Sequence, residues 1–283
     1  MQIGVTFPQT EIGTDPLAIR DYAQAVQELG YSHIMTYEHT ISPGPSHSKK
    51  VAYSQQMFHE PFVLFGYLAA LTQLELATAV VILPQRQTAL VAKQAAEVDL
   101  LTGGRLRLGV GVGWNQVEYD VLGMNFHTRG RLIEEQIEVM RLLWSQLSVT
   151  FKGQFHTIAD AGINPLPVQR PIPIWMGGTA DVALRRIARL GDGWFPEESP
   201  DEVREPLERL RRYAQEAGRD PAAIGIEGRI YTRNGNLDQW IQQTAKWREL
   251  GATHVSFNTM GAGFTSVNEH IATLRRYKEA LTP

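Results

Sequence analysis

Eight histidines and no cysteine set the reactive side chains available to this 283-residue chain. Without cysteine there is no thiolate nucleophile, no disulfide and no iron–sulfur cluster. Imidazole titrates near neutrality, so the histidines are the first candidates for proton transfer. One of them, His39, directly follows a carboxylate, Glu38, in the stretch HIMTYEHT. Metal-binding spacing is missing: no H-E-x-x-H occurs, no H-x-H lies in the first apolar segment, and acidic residues do not cluster at regular intervals. No metal centre is expected. Nor is there a G-x-S-x-G nucleophile elbow.

Two glycine-bearing stretches bear on ligand binding. In PIPIWMGGTADVALRR, Gly177-Gly178 stand between an apolar run and a helical pattern, with Thr179 as candidate N-cap. Exposed amides and the helix dipole at such a junction favour a phosphate, and a phosphate-bearing cofactor or substrate is expected there. In LGVGVGW, Gly109, Gly111 and Gly113 alternate, and the residue three positions after Gly111 is Trp114. The dinucleotide spacing G-x-G-x-x-G is therefore absent. The glycines read as the end of a strand that something approaches closely, either neighbouring side chains or a ligand.

The elements that must position these residues alternate strand and helix about eight times. QIGVTF (2–7) reads as a strand. Asp15 as N-cap, Pro16 at the first helical position, and Ile19, Tyr22, Ala23, Val26 and Leu29 at helical spacing read as a helix closed by Gly30. His33–Tyr37 is a second strand, and the apolar run 76–83 a third, buried on both faces. A helix through Leu101 stops at Gly103-Gly104, before a fourth strand, Leu106–Gly111. After another helix, SVTFKGQFHTI reads as an inserted hairpin preceding a fifth strand, Ile172–Met176. GWFP supplies the sixth strand, Ser199-Pro200 is expected to cap the following helix, IGIEGRIYT holds the seventh strand, and His254–Asn258 is the eighth. The segments ELGYSHIMTY, RLGDGWFP and ELGATHVSFN share one plan of helix, Leu-Gly stop, turn and strand. Such alternation closes most simply into an α/β (β/α)8 TIM barrel, here with a small hairpin insertion between strands 4 and 5 and a long loop after strand 2. An open doubly wound sheet is the alternative. One domain spanning 1–283 is expected.

The composition, 43% hydrophobic and 20% charged with a formal net charge of -3, allows one large core and gives no electrostatic motive for nucleic acid or anionic membranes. No apolar run approaches the roughly 18 residues that would span a bilayer, and the N-terminus reads as a strand without signal-peptide character. A cytoplasmic enzyme acting on a small molecule is the expectation.

Barrel active sites lie at the C-terminal ends of the strands, and that rule sorts the histidines. His33 and His254 fall at strand starts and read as structural. His127, His156 and His270 lie outside the catalytic rim. His47 and His59 belong to segment 40–61, whose Pro, Gly and Ser content suggests a lid. Only His39 sits at a strand end. Phe7, Tyr37, Arg86 and Trp114, also at or near strand ends, are candidate walls of the substrate space.

Along nearly its whole length the chain resembles the luciferase-like monooxygenase superfamily, in the branch of oxidoreductases dependent on coenzyme F420. The stretches that carry the resemblance are LGYSHIMTYEHT, LPQRQTALVAKQAAEVDLLTGGRLRLGVGVGWNQVEY, RGRLIEEQIEVMRLLW and PIPIWMGGTADVALRRIARLGDGWFP. The resemblance implies the same barrel. It matches Glu38-His39 to an acid–histidine pair whose histidine lies beside the reactive part of the ring. It implies a non-prolyl cis peptide behind that ring, at Ala79-Val80 or Val80-Val81, and cofactor contacts at Gly111, Gly113 and Trp114. Gly177, Gly178 and Thr179 match the loop that holds the cofactor phosphate. The deazaflavin branch often carries Asp where Glu38 stands, whereas flavin luciferases carry Glu. The implied activity is hydride transfer between F420 and a small organic substrate, with His39 exchanging the proton and Glu38 orienting it. An FMN-dependent monooxygenase and a non-catalytic flavin-binding protein are the alternatives. Homodimers are common in the family, and one is expected here.

Overall fold

The computed structural model describes residues 1–44 and 56–281. Eight parallel strands close into a barrel: β1 (Gln2–Thr6), β2 (His33–Thr36), β3 (Glu75–Thr78), β5 (Leu106–Gly111), β8 (Ile174–Gly177), β9 (Gly193–Phe195), β10 (Gly225–Tyr231) and β11 (His254–Asn258). Pairing of β1 with β11 and of β3 with β5 completes the ring. The two-residue β4 (Val81–Ile82) continues the third strand beyond an interruption and pairs with Val110 and Gly111 of β5. The apolar run 76–83 is thus one strand broken in two, and the peptide between Ala79 and Val80 is cis.

The helices pack outside, as their apolar stripes require. In α1 (Pro16–Glu28), the Asp15 side chain accepts from the Leu17 amide at 2.9 Å, while Ile19, Tyr22, Ala23 and Val26 are buried. Helices α2 (Pro61–Ala69), α3 (Thr88–Thr102), the short α4 (Gln116–Val121), α5 (Arg129–Ser145), α6 (Asp181–Leu190), α7 (Arg204–Glu216), α8 (Leu237–Glu249) and α9 (Val267–Leu281) follow in order. The predicted hairpin is present as antiparallel β6 (Val149–Lys152) and β7 (Thr157–Ala161). Two predicted caps are not. Ser199 instead heads a turn, its hydroxyl donating to Glu202 at 2.7 Å, and α7 begins at Arg204. Ala180, not Thr179, precedes the first residue of α6.

The main core lies between strands and helices, and a smaller cluster fills the barrel itself: Met35, Ala77, Ala79, Trp175 and Phe195, with Tyr37 and Val80 packed on it. Towards the strand starts the plug becomes polar. Glu227, wholly buried, accepts from His33 Nε2 at 2.8 Å and pairs with Arg107 and Ser256. The Arg107 guanidinium lies 4.3 Å from the Trp175 ring centre. Burial alone would raise the Glu227 carboxyl, but Arg107 and His33 hold it well below the usual carboxylate range. Gly4 makes room for this layer, since a Cβ there would sit 2.3 Å from the His33 ring. His33 is therefore structural, as its position at a strand start predicts. No helix among the described residues is long and apolar enough to cross a membrane.

Candidate active site

At the C-terminal end of β2, Glu38 and His39 diverge. The Glu38 carboxylate is 4% exposed and turns into the protein: Oε2 accepts from the Ile82 amide at 2.8 Å, and Oε1 accepts from Arg86 at 2.8 Å and from the Thr40 hydroxyl. It ties the strand-two loop to the backbone just beyond the cis peptide. Arg86 also pairs with Glu60 at 2.9 Å, so its guanidinium bridges two carboxylates. The expectation that Glu38 orients His39 is replaced by a different partner.

That partner is Glu118. His39 Nδ1 lies 3.0 Å from Glu118 Oε1. Glu118 is 2% exposed, in the first turn of α4, and its other oxygen accepts from Gln85 Nε2 at 3.0 Å. Asn115 caps α4 through the Val117 amide at 3.1 Å and approaches Glu118 at 3.4 Å. The His39 ring, one-fifth exposed, meets the Phe58 ring edge-on at 4.7 Å. A carboxylate accepts hydrogen bonds, so in this pairing His39 Nδ1 carries a proton and donates it to Glu118. Glu118 was not singled out from sequence. The signal was present in GWNQVEY, where Asn115 opens a short helix soon after the fourth strand and Glu118 sits three residues on.

Around this pair stand the residues assigned from the resemblance to a cofactor. Val80 projects from the interruption between β3 and β4, and a Cβ on Gly111 would reach within 2.6 Å of it, one on Gly177 within 3.6 Å. Gly109 faces the Thr78 carbonyl, where a Cβ would sit at 1.8 Å. These glycines thus admit the protein's own bulge, and of the two readings of LGVGVGW the close packing of neighbouring groups is the one observed at Gly109. Gly113 adopts a left-handed conformation (φ 66), Trp114 is 61% exposed, and Ala79 and Val81 are buried.

At the end of β8, Gly177, Gly178 and Thr179 are half-buried, and Gly178 (φ 102) turns the chain into α6. A phosphate there would meet first-turn N–H groups that have no acceptor inside the helix. The Thr179 hydroxyl, however, donates to Glu198 at 2.9 Å. The fit to a flat ring with a phosphate tail rests on the half-buried Val80 flanked by glycines, the bare backbone at 177–178, and an imidazole held alongside.

Of the expected substrate walls, Tyr37 lines a cavity at the mouth, described below. Phe7 does not: it is wholly buried in the outer core, against Tyr22 of α1 at 5.6 Å and His59 at 6.0 Å. Strand alternation turns it outward, away from the barrel axis. Arg86 is occupied by its two carboxylates. His156 bonds Thr88 and Glu135 in the hairpin region, and His270 is buried behind the β11 loop, 2.8 Å from the Thr259 hydroxyl. His47, with residues 45–55 of segment 40–61, lies outside the described residues. Among the described residues, no three His, Asp or Glu side chains gather where they could hold a metal ion.

Comparison with known proteins accords with this architecture. The chain is 37% identical over 223 residues to an uncharacterized protein of Mycobacterium tuberculosis, covering 75% of this chain and 77% of the other. It is 29% identical over 221 residues to the FMNH(2)-dependent dimethylsulfone monooxygenase of Pseudomonas fluorescens, covering 76% and 57% respectively. Among solved structures, an F420-dependent secondary alcohol dehydrogenase in complex with an F420-acetone adduct superposes with a TM-score of 0.80 at 17% identity, covering 100% of this chain and 99% of the other. The luciferase-like monooxygenase family profile matches residues 1–281. The chain belongs to the luciferase-like monooxygenase family, whose enzymes are oxidoreductases built on this barrel.

Proposed function

We propose that the protein is an F420-dependent oxidoreductase that transfers a hydride between the deazaflavin and a small organic substrate. The observation that supports this most is the His39–Glu118 pair, 3.0 Å apart, at a barrel mouth whose third strand is interrupted at Ala79-Val80. When bound, the deazaflavin supplies a two-electron hydride acceptor or donor at carbon. Val80, Gly111, Gly113 and Trp114 would hold its ring, and Gly177, Gly178 and Thr179 its phosphate.

The chain's own part is proton transfer and positioning. His39 Nε2 takes a proton from a substrate hydroxyl as hydride leaves the adjacent carbon, or returns it in the reverse direction. Glu118 holds the ring in that tautomer and stabilises the imidazolium that forms, as a buried carboxylate behind histidine does elsewhere. Gln85 and Asn115 hold Glu118. Glu38 with Arg86 fixes the loop from which His39 projects.

A second reading, an FMN-dependent monooxygenase, is favoured by the FMNH(2)-dependent relative at 29% identity and by Glu rather than Asp at position 38. The test of the catalytic assignment is His39→Ala assayed with saturating deazaflavin across a panel of alcohols and carbonyls. Turnover at least about 100-fold lower is expected, and unchanged turnover would remove His39 from the mechanism.

A further inference from the structure

Beside the His39 pair, on the β1, β2, β10 and β11 side of the mouth, lies a cavity of about 310 Å³. Its lining includes Tyr37, Phe58, Arg229, Tyr231, Arg233 and Asn258. Arg229 comes from the inner face of β10, two residues beyond the Glu227 that anchors the polar plug. Its Nε is buried and has no hydrogen-bond acceptor, and among the described residues no carboxylate lies within 4.0 Å of its guanidinium. Residues 45–55, PSHSKKVAYSQ, contain no acidic residue to serve it.

Arg229 packs against aromatic rings, and the Glu227 carboxylate acts on its charge from beyond ion-pair distance. Its guanidinium carbon lies 5.5 Å from the Tyr37 ring centre, and Tyr231 stands in the same cavity wall. Burial pushes the Tyr37 phenol up to about 12, with Arg229 opposing only in part, so Tyr37 is uncharged at neutral pH. Asn258 Nδ2 donates to the Tyr37 hydroxyl at 3.0 Å. Arg233 adds a second cation, stacked 4.8 Å from the Tyr231 ring centre. The single carboxylate in the lining, Glu11, accepts from the Gly261 amide at 2.7 Å and lies 3.5 Å from His270. Arg229 is half-buried, and a guanidinium partly withdrawn from water gains from an anionic partner, because desolvating its charge alone is costly. A guanidinium edge offering Nε–H matches a carboxylate in bidentate fashion.

We propose that this cavity receives a carboxylate group of the substrate, with Arg229 as the principal anchor and Arg233 assisting. The inference rests on the oxidoreductase reading and narrows its substrate class. Phe58 lines the cavity and also contacts the His39 ring, so a carboxylate at Arg229 directs the remainder of a small molecule towards His39. The acid form is not bound, because it would leave Arg229 without a counter-charge. Neutral isosteres such as primary amides are rejected for the same reason.

The test is calorimetric and thermal-shift titration of the full chain with lactate, benzoate and succinate against lactamide, benzamide and succinamide, with and without deazaflavin. At least one carboxylate is expected to bind tighter than its amide by about tenfold or more. Arg229→Gln should weaken that carboxylate about 30-fold and leave the amide unchanged, while Arg229→Lys recovers part of the loss. Equal binding of acid and amide in the parent protein, under both conditions, overturns the proposal without requiring any variant to fold. So does carboxylate binding that survives in a folded Arg229→Gln protein. Because deazaflavin binding is read in its own titration, failure of the cofactor reading and failure of anion recognition are separately visible.

Discussion

His39 Nδ1 and Glu118 Oε1 lie 3.0 Å apart although 79 residues separate them along the chain. The strand-two end supplies the imidazole, and the short α4 after β5 supplies the carboxylate. Closure of the barrel is what brings them together.

Glu118→Gln should therefore act through His39. The expected change is a fall in kcat of about 10–100-fold with KM and deazaflavin affinity altered less than about threefold. Steady-state kinetics with a separate cofactor titration read the split. A loss confined to KM would mean that Glu118 serves binding instead of proton transfer.

Glu38 is a structural tie. Glu38→Ala strips Arg86 of one of its two carboxylates and leaves the Ile82 amide without its acceptor. Urea unfolding should show a loss of about 3 kcal/mol. Glu38→Gln, which can still accept from Ile82, should lose less, and equal losses would contradict this division of labour.

Gly111→Ala would bring a Cβ within 2.6 Å of Val80 Cγ2. The methyl must displace Val80, so a loss of about 1–3 kcal/mol is expected, together with weaker deazaflavin binding. Unchanged cofactor affinity in this variant would argue that Val80 is not behind the ring.

The barrel floor predicts acid sensitivity. Burial, aided by the Arg107 charge, lowers the His254 imidazole from 6.5 to about 4. The folded protein keeps it neutral while the unfolded chain takes up a proton, so stability is lost as pH falls from 6.5 towards 4. Glu227, held below the usual carboxylate range, adds a further loss below about 4.5. His254→Asn should flatten the upper part of this slope by roughly 1–2 kcal/mol, allowing for the ring's partial exposure. Parallel stability curves for parent and variant between pH 7 and 4.5 would remove His254 as a cause.

The barrel was legible because each unit carries its own local signals: the Asp15-Pro16 start, the Leu-Gly stops, the near-continuous apolar run at 76–83. Those signals are short-range, and so were the errors. Thr179 looks like an N-cap until Glu198, brought by the next strand end, takes its hydroxyl. Ser199-Pro200 looks like a helix start, but the turn it forms with Glu202 delays α7 to Arg204. Phe7 sits at a strand end, yet pleat parity sends it outward. That His39 stands at the barrel mouth was legible from its place just after a strand end. Its partner was not, because adjacency in sequence favoured Glu38 and only the closed ring reveals Glu118. Arg229 was hidden for the same reason: nothing in GRIYTR tells that its guanidinium meets the Tyr37 ring and, among the described residues, forms no ion pair.

Glu198 also bears on the phosphate loop. Its carboxylate stands beside Thr179 where a cofactor phosphate would approach, and like charges repel. Glu198→Gln should tighten deazaflavin binding about two- to fivefold at low salt, with the gain shrinking as salt is added. A variant that binds more weakly would show that the phosphate lies elsewhere.

The most direct measurement is a titration of the purified protein with F420 and, separately, with FMN, followed by fluorescence quenching. Saturable one-to-one binding of F420 is expected, at least about tenfold tighter than FMN and weakened by Gly111→Ala. Tight FMN binding with no response to the deazaflavin would contradict it.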